Sequence, residues 1–329
     1  MAAIAGFGVL ILITLLILSA LVAVLGSLFR ARKLANLGFI AFCVGGATLA
    51  IVALAAILAS LLANGLGGVN LAVFTQDTPA VGSPGGLRNA IVGSIAMCLM
   101  GMIIAVVIGV LAGTWLAEYS GRSRWTAAYG SIVRFVNDVL LSAPSILVGL
   151  FIYYVLVAKT WPLSLGHYSA MAGAVALAML AVPVVTRTTE DVLRLQSKQL
   201  RESGVALGAP LWITIKDILW KAGSGGMITG ALLAFARVSG ETAPLLFTSL
   251  GNQFSTVHLL YKEGGKWIFD PSLGLNQPTA SLPTVIFNYA LSAYDDWRRL
   301  AWVGALLIAI AVLGINILVR VLSAEPKRS

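Results

Sequence analysis

RTTEDVLRLQSKQLRESGVALGAPLWITIKDILWKAG, residues 187–223, is a polar island in a chain that is otherwise mostly apolar. A few residues later comes MITGALLAFARVSGETAPLLFTSL, residues 227–250, an apolar stretch with Arg237 and Glu241 set inside it. Charged residues make up 11% of the chain, against about a quarter in a soluble domain. Several charge-free runs exceed the ~20 residues that a spanning helix needs. The reading is therefore an all-α, polytopic transmembrane protein. Its polar island lies at one membrane face, and the charges at 237 and 241 lie within the membrane.

Working outward from the island gives about seven spans. TM1, Ala2–Phe29, carries no charge and has no basic leader, so it reads as a retained helix rather than a signal peptide. TM2 is expected near Leu37–Leu62, TM3 near Asn89–Leu116 and TM4 near Ala128–Val157 with Pro144 at mid-helix. TM5 is expected near Tyr168–Thr186, TM6 at Met227–Leu250 and TM7 near Arg299–Leu322. SLPTVIFNYALS, residues 281–292, reads as a short re-entrant or surface helix before TM7. The division is an N-terminal helix and basic linker over 1–36, then a main domain over 37–329 with a loop at 187–226.

Net charge is +9, but its distribution is not that of a nucleic-acid binder. With the N-terminus outside and the C-terminus inside, fourteen Lys and Arg fall on the inner side, six on the outer side and two, Arg134 and Arg237, within helices. That excess fits the positive-inside rule. Cys43 and Cys98 each sit in an apolar run and read as small hydrophobes, with no metal or disulfide pattern.

A central arginine costs about 2.5–3.5 kcal/mol on insertion scales, so such residues face the protein interior or a cavity. In an unbroken TM6, Arg237, Gly240, Glu241 and Pro244 share one face at i, i+3, i+4 and i+7. Arg134 and Asp138 repeat the i, i+4 spacing in TM4, and Arg187 stands just before Glu190 and Asp191 at the end of TM5. Each pair has two readings. One is a structural ion bridge, favoured for Arg134–Asp138 near the surface. The other, favoured for Arg237–Glu241, is an arginine held by a carboxylate that a passing oxyanion can displace, since the guanidinium fork suits phosphate or sulfate.

In the island, Thr188 or Thr189 reads as the cap of a short helix. A second helix follows from Ser197 to Leu207, and a third from Leu211 to Lys221. Gly208 stands where a left-handed residue ends a helix, and Pro210 prevents its continuation. An amphipathic hairpin on lipid headgroups and a docking element for a soluble partner both fit that pattern.

Residues 201–208, RESGVALG, with Ile218 ten residues after the glycine, resemble the EAA loop of ABC-importer permeases. Glu202, Gly208 and Ile218 match the motif, and Ser203 and Gly204 replace its alanines with other small residues. Trp220 and Lys221 stand where many permeases carry Leu-Pro. FVNDVLLSAPSILVGLF, GMITGALLAFARVSGETAPLLFTSLGNQF, LPTVIFNYALS and LAWVGALLIAIAVLGINILVRV together look like the A-type permeases of bacterial phosphate importers. This resemblance runs from about Leu34 to the C-terminus, so TM1 is an addition. It implies a type I ABC-importer core in the bacterial inner membrane, with a second homologous permease and a cytoplasmic ATPase dimer as partners. It also implies an external phosphate-binding protein, with phosphate as the solute. By matching position it implies a transport path through Arg187, Arg237 and Glu241, with Arg134, Asp138, Glu190 and Pro244 in support. ATPase coupling would fall to Glu202, Ser203, Gly204, Gly208 and Ile218.

The chain has no Gly-x-x-x-x-Gly-Lys-Ser/Thr loop, so no cofactor is expected on it, and ATP and Mg²⁺ belong to the ATPase partner. No catalytic constellation can be assembled, since His167 and His258 fall in loops and no His-Glu-x-x-His occurs. An ion-coupled secondary transporter would leave the large polar loop without a purpose and shows no internal repeat. A sulfate or molybdate permease is the nearest rival within the class.

Overall fold

The computed structural model describes residues 13, 15–24, 26–27, 32–160, 162, 164–252, 260–263, 265–269 and 274–323. Two compact units are present, Met1–Gly67 and Gly68–Ser329. The first contains α1 (Leu15–Val24) and α2 (Arg32–Gly65). Most of the expected TM1 lies outside the described residues.

The second unit holds α3 (Leu71–Thr75), α4 (Arg88–Glu118), α5 (Arg124–Ser142), α6 (Ser145–Ile152), α7 (Ala170–Leu195) and α8 (Lys198–Ala206). A turn, α9 (Leu211–Ile213), passes through π-helical Thr214–Leu219 into α10 (Trp220–Val238), so Leu211–Val238 is one helix. The chain then forms α11 (Ala243–Thr248), an antiparallel pair of β1 (Leu260–Glu263) and β2 (Lys266–Phe269), α12 (Leu282–Ala290) and α13 (Asp295–Ser323). Among the described residues five helices are long and apolar enough to cross a membrane, six if the bent pair α5–α6 is one span. The fold is all-α, as expected, apart from the strand pair, which was not foreseen.

Helix α7 is the centre, with 67% of its most apolar window buried. It lies parallel to α4, because Gly101 faces Ala174 and Leu177, Gly109 faces Val185, and Gly113 faces Thr186 and Thr189. Gly93, Met97, Gly101, Ala105, Gly109 and Gly113 recur every four residues and are all buried. Small residues at that spacing let two backbones approach closely, which is how helices associate where lipid removes the hydrophobic drive. Helix α10 covers another side of α7 and runs antiparallel to it: Gly223 and Gly226 meet Val192, and Gly230 meets Thr188. Ser169 caps α7 by accepting from the Ala172 amide. The preceding amides of Ser169, Ala170 and Met171 donate to the carbonyls of Thr248, Gln277 and Leu275, which satisfies the buried end. The expected short helix at 281–292 forms as α12, with a Ser281–Thr284 capping box.

Three local expectations are corrected. Thr188 does not cap a new helix. Its hydroxyl bonds back to the carbonyls of Val184 and Val185, and α7 continues to Leu195. TM4 is not one helix with a proline in its middle. Ala143 is extended (φ −67°, ψ 136°), as a residue before proline prefers, and α5 and α6 are bent by 107° about Pro144. TM6 is not continuous either. Helix α10 stops at Val238, and Pro244 sits in the first turn of α11, where its missing N–H costs nothing. The pieces beyond the two breaks pack together, because a Cβ on Gly149 would lie 2.6 Å from the Pro244 Cα.

The α4 stripe carries a direct expectation. Gly109→Val places a Cβ 2.7 Å from that of Val185, and overpacking of this kind costs about 1–3 kcal/mol. The purified protein in detergent should unfold at a lower temperature than wild type. Gly46→Ala, in the interior of α2 where no atom lies within 4 Å of the added Cβ, should not lower the melting temperature, since alanine is the better helix former.

Candidate functional site: charged helices and a docking helix

Helix α5 crosses the far half of α7, and charges meet there in two clusters. In the first, Arg134 Nε donates to Glu190 Oε1 at 2.7 Å, and Arg134 Nη2 donates to the Leu116 carbonyl (3.1 Å) and to Ser120 Oγ (2.8 Å). Arg194 also reaches Glu190 Oε1 at 2.8 Å. The Glu190 side chain is 5% exposed, so this carboxylate is buried between two guanidiniums. In the second cluster Arg187 lies 3.7 Å from Asp138 and 3.3 Å from Asp191. All three of these side chains are about half exposed.

The expected i, i+4 pair of Arg134 with Asp138 is therefore replaced by two interhelical pairs, Arg134–Glu190 and Asp138–Arg187. The reason is geometric. Burial of the α5 face that meets α7 puts Arg134 level with Glu190 and Asp138 level with Arg187, and the buried Glu190 is screened less than a partner along the exposed helix.

Arg237 and Glu241 make no ion pair among the described residues. Arg237 sits in the last turn of α10 and Glu241 beyond its end, so the helical face that would have aligned them does not exist. Both lie deep. Gly230 is level with Thr188, and seven further residues at ~1.5 Å each carry Arg237 about 10 Å along, level with the middle of α7. Arg237 is exposed on the protomer surface. A charge at that depth does not face hydrocarbon, so it faces another protein or water. Pro244 is buried against Gly149 and holds the break rather than facing a ligand.

Helix α8, the candidate docking element, has the local geometry that the sequence predicts. Ser197 caps it, and Gly208 is left-handed at φ 78° with nothing within 4 Å of a built Cβ. Gly204 is buried against Thr214 and Ile218, where a Cβ would come within 2.6 Å of Thr214. Glu202 and Ser203 face solvent, as do Val205 (55%), Leu207 (86%) and Trp212 (59%). The tip thus pairs a carboxylate with unpartnered apolar side chains.

One contact at the root of this element has no signal in the sequence. Arg201 donates from Nε and Nη2 to Glu118, with distances of 2.7–3.0 Å, and to the carbonyls of Gln196 (2.7 Å) and Leu193 (2.6 Å). Glu118 stands 83 residues earlier, and nothing in local spacing joins the two.

Residues 105–325 match the family model of binding-protein-dependent transport system inner membrane components. The phosphate transport system permease protein PstA of Yersinia pestis is 48% identical over 272 residues, 82% of this chain and 84% of that protein. The protein of the same name from Xylella fastidiosa strain Temecula1 is 43% identical over 300 residues, 91% of this chain and 96% of its own. A probable PstA from Methanocaldococcus jannaschii is 31% identical over 85% of this chain and 90% of that protein. Among solved structures, a chain of the inward-facing MetNI methionine ABC transporter superposes with a TM-score of 0.53 at 18% identity, covering 70% of this chain and 91% of that one. At that identity the likeness concerns the fold alone.

Glu190 provides the test of the buried cluster. Glu190→Ala strands Arg134 and Arg194, and breaking a buried pair costs on the order of 3 kcal/mol. The expected result is a clear loss of thermal stability in detergent. Arg134→Met combined with Glu190→Leu removes both members of the inner pair and should recover most of the loss.

Proposed function

The chain belongs to the family of binding-protein-dependent transport system inner membrane components, and on that premise we propose that it is the transmembrane permease subunit of an ATP-driven phosphate importer. It is a multi-pass protein of the inner membrane. The observation that carries the assignment is the 43–48% identity, over more than four fifths of the chain, to proteins named as phosphate transport permeases. The charged, deep and outward-facing Arg237 agrees with it.

In this reading the chain pairs with a second homologous permease, and the solute path runs between the two. An ATPase dimer in the cytoplasm docks on α8, receiving Leu207 and Trp212 in its surface groove and pairing with Glu202. Gly208, Gly204 and Ile218 hold the shape of that element. ATP and Mg²⁺ bind to the ATPase partner and not to this chain. A phosphate-binding protein delivers the solute at the opposite face. The C-terminus is cytoplasmic and the N-terminus external in this reading, which the excess of basic residues at the α8 end supports.

Phosphate in transit meets Arg237 at mid-membrane and Arg187 nearer the cytoplasm. A guanidinium presents parallel N–H donors to an oxyanion. Asp138 and Asp191 beside Arg187, and Glu241 one loop away from Arg237, keep each site from holding the ion tightly. That is needed because conduction requires that the ion leave again. The binding protein supplies the affinity.

The importer, assembled from its co-expressed subunits and placed in proteoliposomes, should take up radiolabelled phosphate only with ATP inside and binding protein outside. Uptake driven by a proton or sodium gradient without ATP would overturn the reading, and preference for sulfate or molybdate would move the assignment to a sibling importer. Arg237→Gln removes a charged hydrogen bond worth about 1.5–3 kcal/mol, so uptake should fall roughly tenfold or more at normal protein level. Gly208→Val forces a β-branched residue into a left-handed conformation at a cost of about 1–2 kcal/mol. It should weaken copurification of the ATPase while membrane insertion stays normal.

A further inference from the structure

Two parallel helices, α4 and α7, end side by side at the face that carries α8. Helix α8 is joined to α7 by Gln196 and Ser197 alone, both extended. A two-residue joint of that kind leaves a helix free to pivot unless side chains fix it. Arg201, in the first turn of α8, reaches back across the joint. Its guanidinium closes on both oxygens of Glu118, the last residue of α4, and on two carbonyls at the end of α7, that of Gln196 and that of Leu193, which also accepts the Gln196 amide. A cation is favoured at a helix C-terminus, where unpaired carbonyls collect, and the guanidinium fork lets one residue serve both helices. The pair is shielded: the Glu118 side chain is 4% exposed and that of Arg201 is 23% exposed.

The same junction is fastened on its other side. Trp220 Nε1 donates to Thr114 Oγ1 at 3.1 Å. Leu193, Ile215 and Leu219 form a small core there, with Ala117, Leu200, Leu211 and Met227 packed against it. Helix α8 is thus fixed to α4, α7 and the foot of the α9–α10 helix. Those helices carry Arg187 and Arg237.

Resting on the function proposed above, we propose that Arg201, clamped by Glu118 and the carbonyl end of α7, is the positioning residue that makes α8 move as one body with α4 and α7. Displacement of the docked ATPase then reaches the transport helices. Without the clamp, α8 follows the ATPase by pivoting at Gln196–Ser197, and ATP is hydrolysed without moving the path.

The test uses the whole importer in proteoliposomes, comparing wild type with Arg201→Gln, Arg201→Lys and Glu118→Gln. The measurement is the ATP hydrolysed per phosphate transported, with the yield of assembled complex recorded beside it. For Arg201→Gln, hydrolysis should persist while uptake falls, so that the ratio rises by about tenfold, within the usual range of coupling between sites. Arg201→Lys keeps the charge but cannot span all the acceptors, and should fall between. Glu118→Gln keeps the shape of the site and the carbonyl bonds, and it decides the matter should Arg201→Gln fail to assemble. A wild-type ratio in the assembled variants, whatever their yield, would make the clamp a fold-stabilising contact only and would overturn the proposal. Failure of the wild-type complex to move phosphate with ATP would instead overturn the function assigned above, and would be seen before any variant is made.

Discussion

The close approach of α4 to α7 sets the geometry on which the rest of the second unit depends. Glycine or alanine at five of six positions in the four-residue stripe of α4, with Met97 the one exception, leaves few side chains to hold the backbones apart. Dispersion and close packing can then do what the hydrophobic effect does not do within lipid. Once α7 is pressed against α4, its remaining sides are covered by α10 and by the pieces beyond the two proline breaks. Its polar residues must then find partners in the protein. Glu190, buried on α7, meets the guanidiniums of Arg134 and Arg194.

The breaks are the counterpart of that rigid centre. At Pro144 and again between Val238 and Ala243, a long apolar run is interrupted at a depth where backbone polar groups have no water to bond. Such interruptions persist in a membrane protein only where other protein or a water-filled cavity meets the freed groups. The two shorter helices that follow the breaks, α6 and α11, meet through Gly149 and Pro244. Arg237 and Glu241 flank one of these interruptions, so the deep charges sit where the helix itself has ended and not on a continuous helical face. An arginine there is free of an intrahelical partner, which suits a contact with a passing anion better than the tethered pair that an unbroken helix would have made.

The face that bears α8 differs in kind. Its contacts are charge-assisted and aromatic, and they connect residues from four elements. The exposed tip carries Glu202, Leu207 and Trp212, whereas its root carries Arg201, Glu118 and Trp220. The surface suited to a partner therefore stands directly on the network that holds α4, α7 and α10 together.

The amino-acid sequence by itself determined the class, the order of the helices and the capped, glycine-ended form of α8. Apolar run length, the absence of charge over 89–116, the Ser197 cap, the left-handed Gly208 and Pro210 are all local properties, and local properties are written in consecutive residues. It also carried the α4 stripe of small residues, a signal of helix contact that was open to reading and was not read. The ion pairs were decided only by the tertiary structure. Arg134 and Asp138 are four apart in sequence, yet the fold gives each a partner on α7, because the packing of α5 on α7 brings charges 49–56 residues apart to within a few ångströms. The separation of Arg237 from Glu241, and the joining of Arg201 to Glu118, follow in the same way. Helical periodicity predicts which residues share a face only while the helix continues, and it says nothing of what a second helix brings to that face.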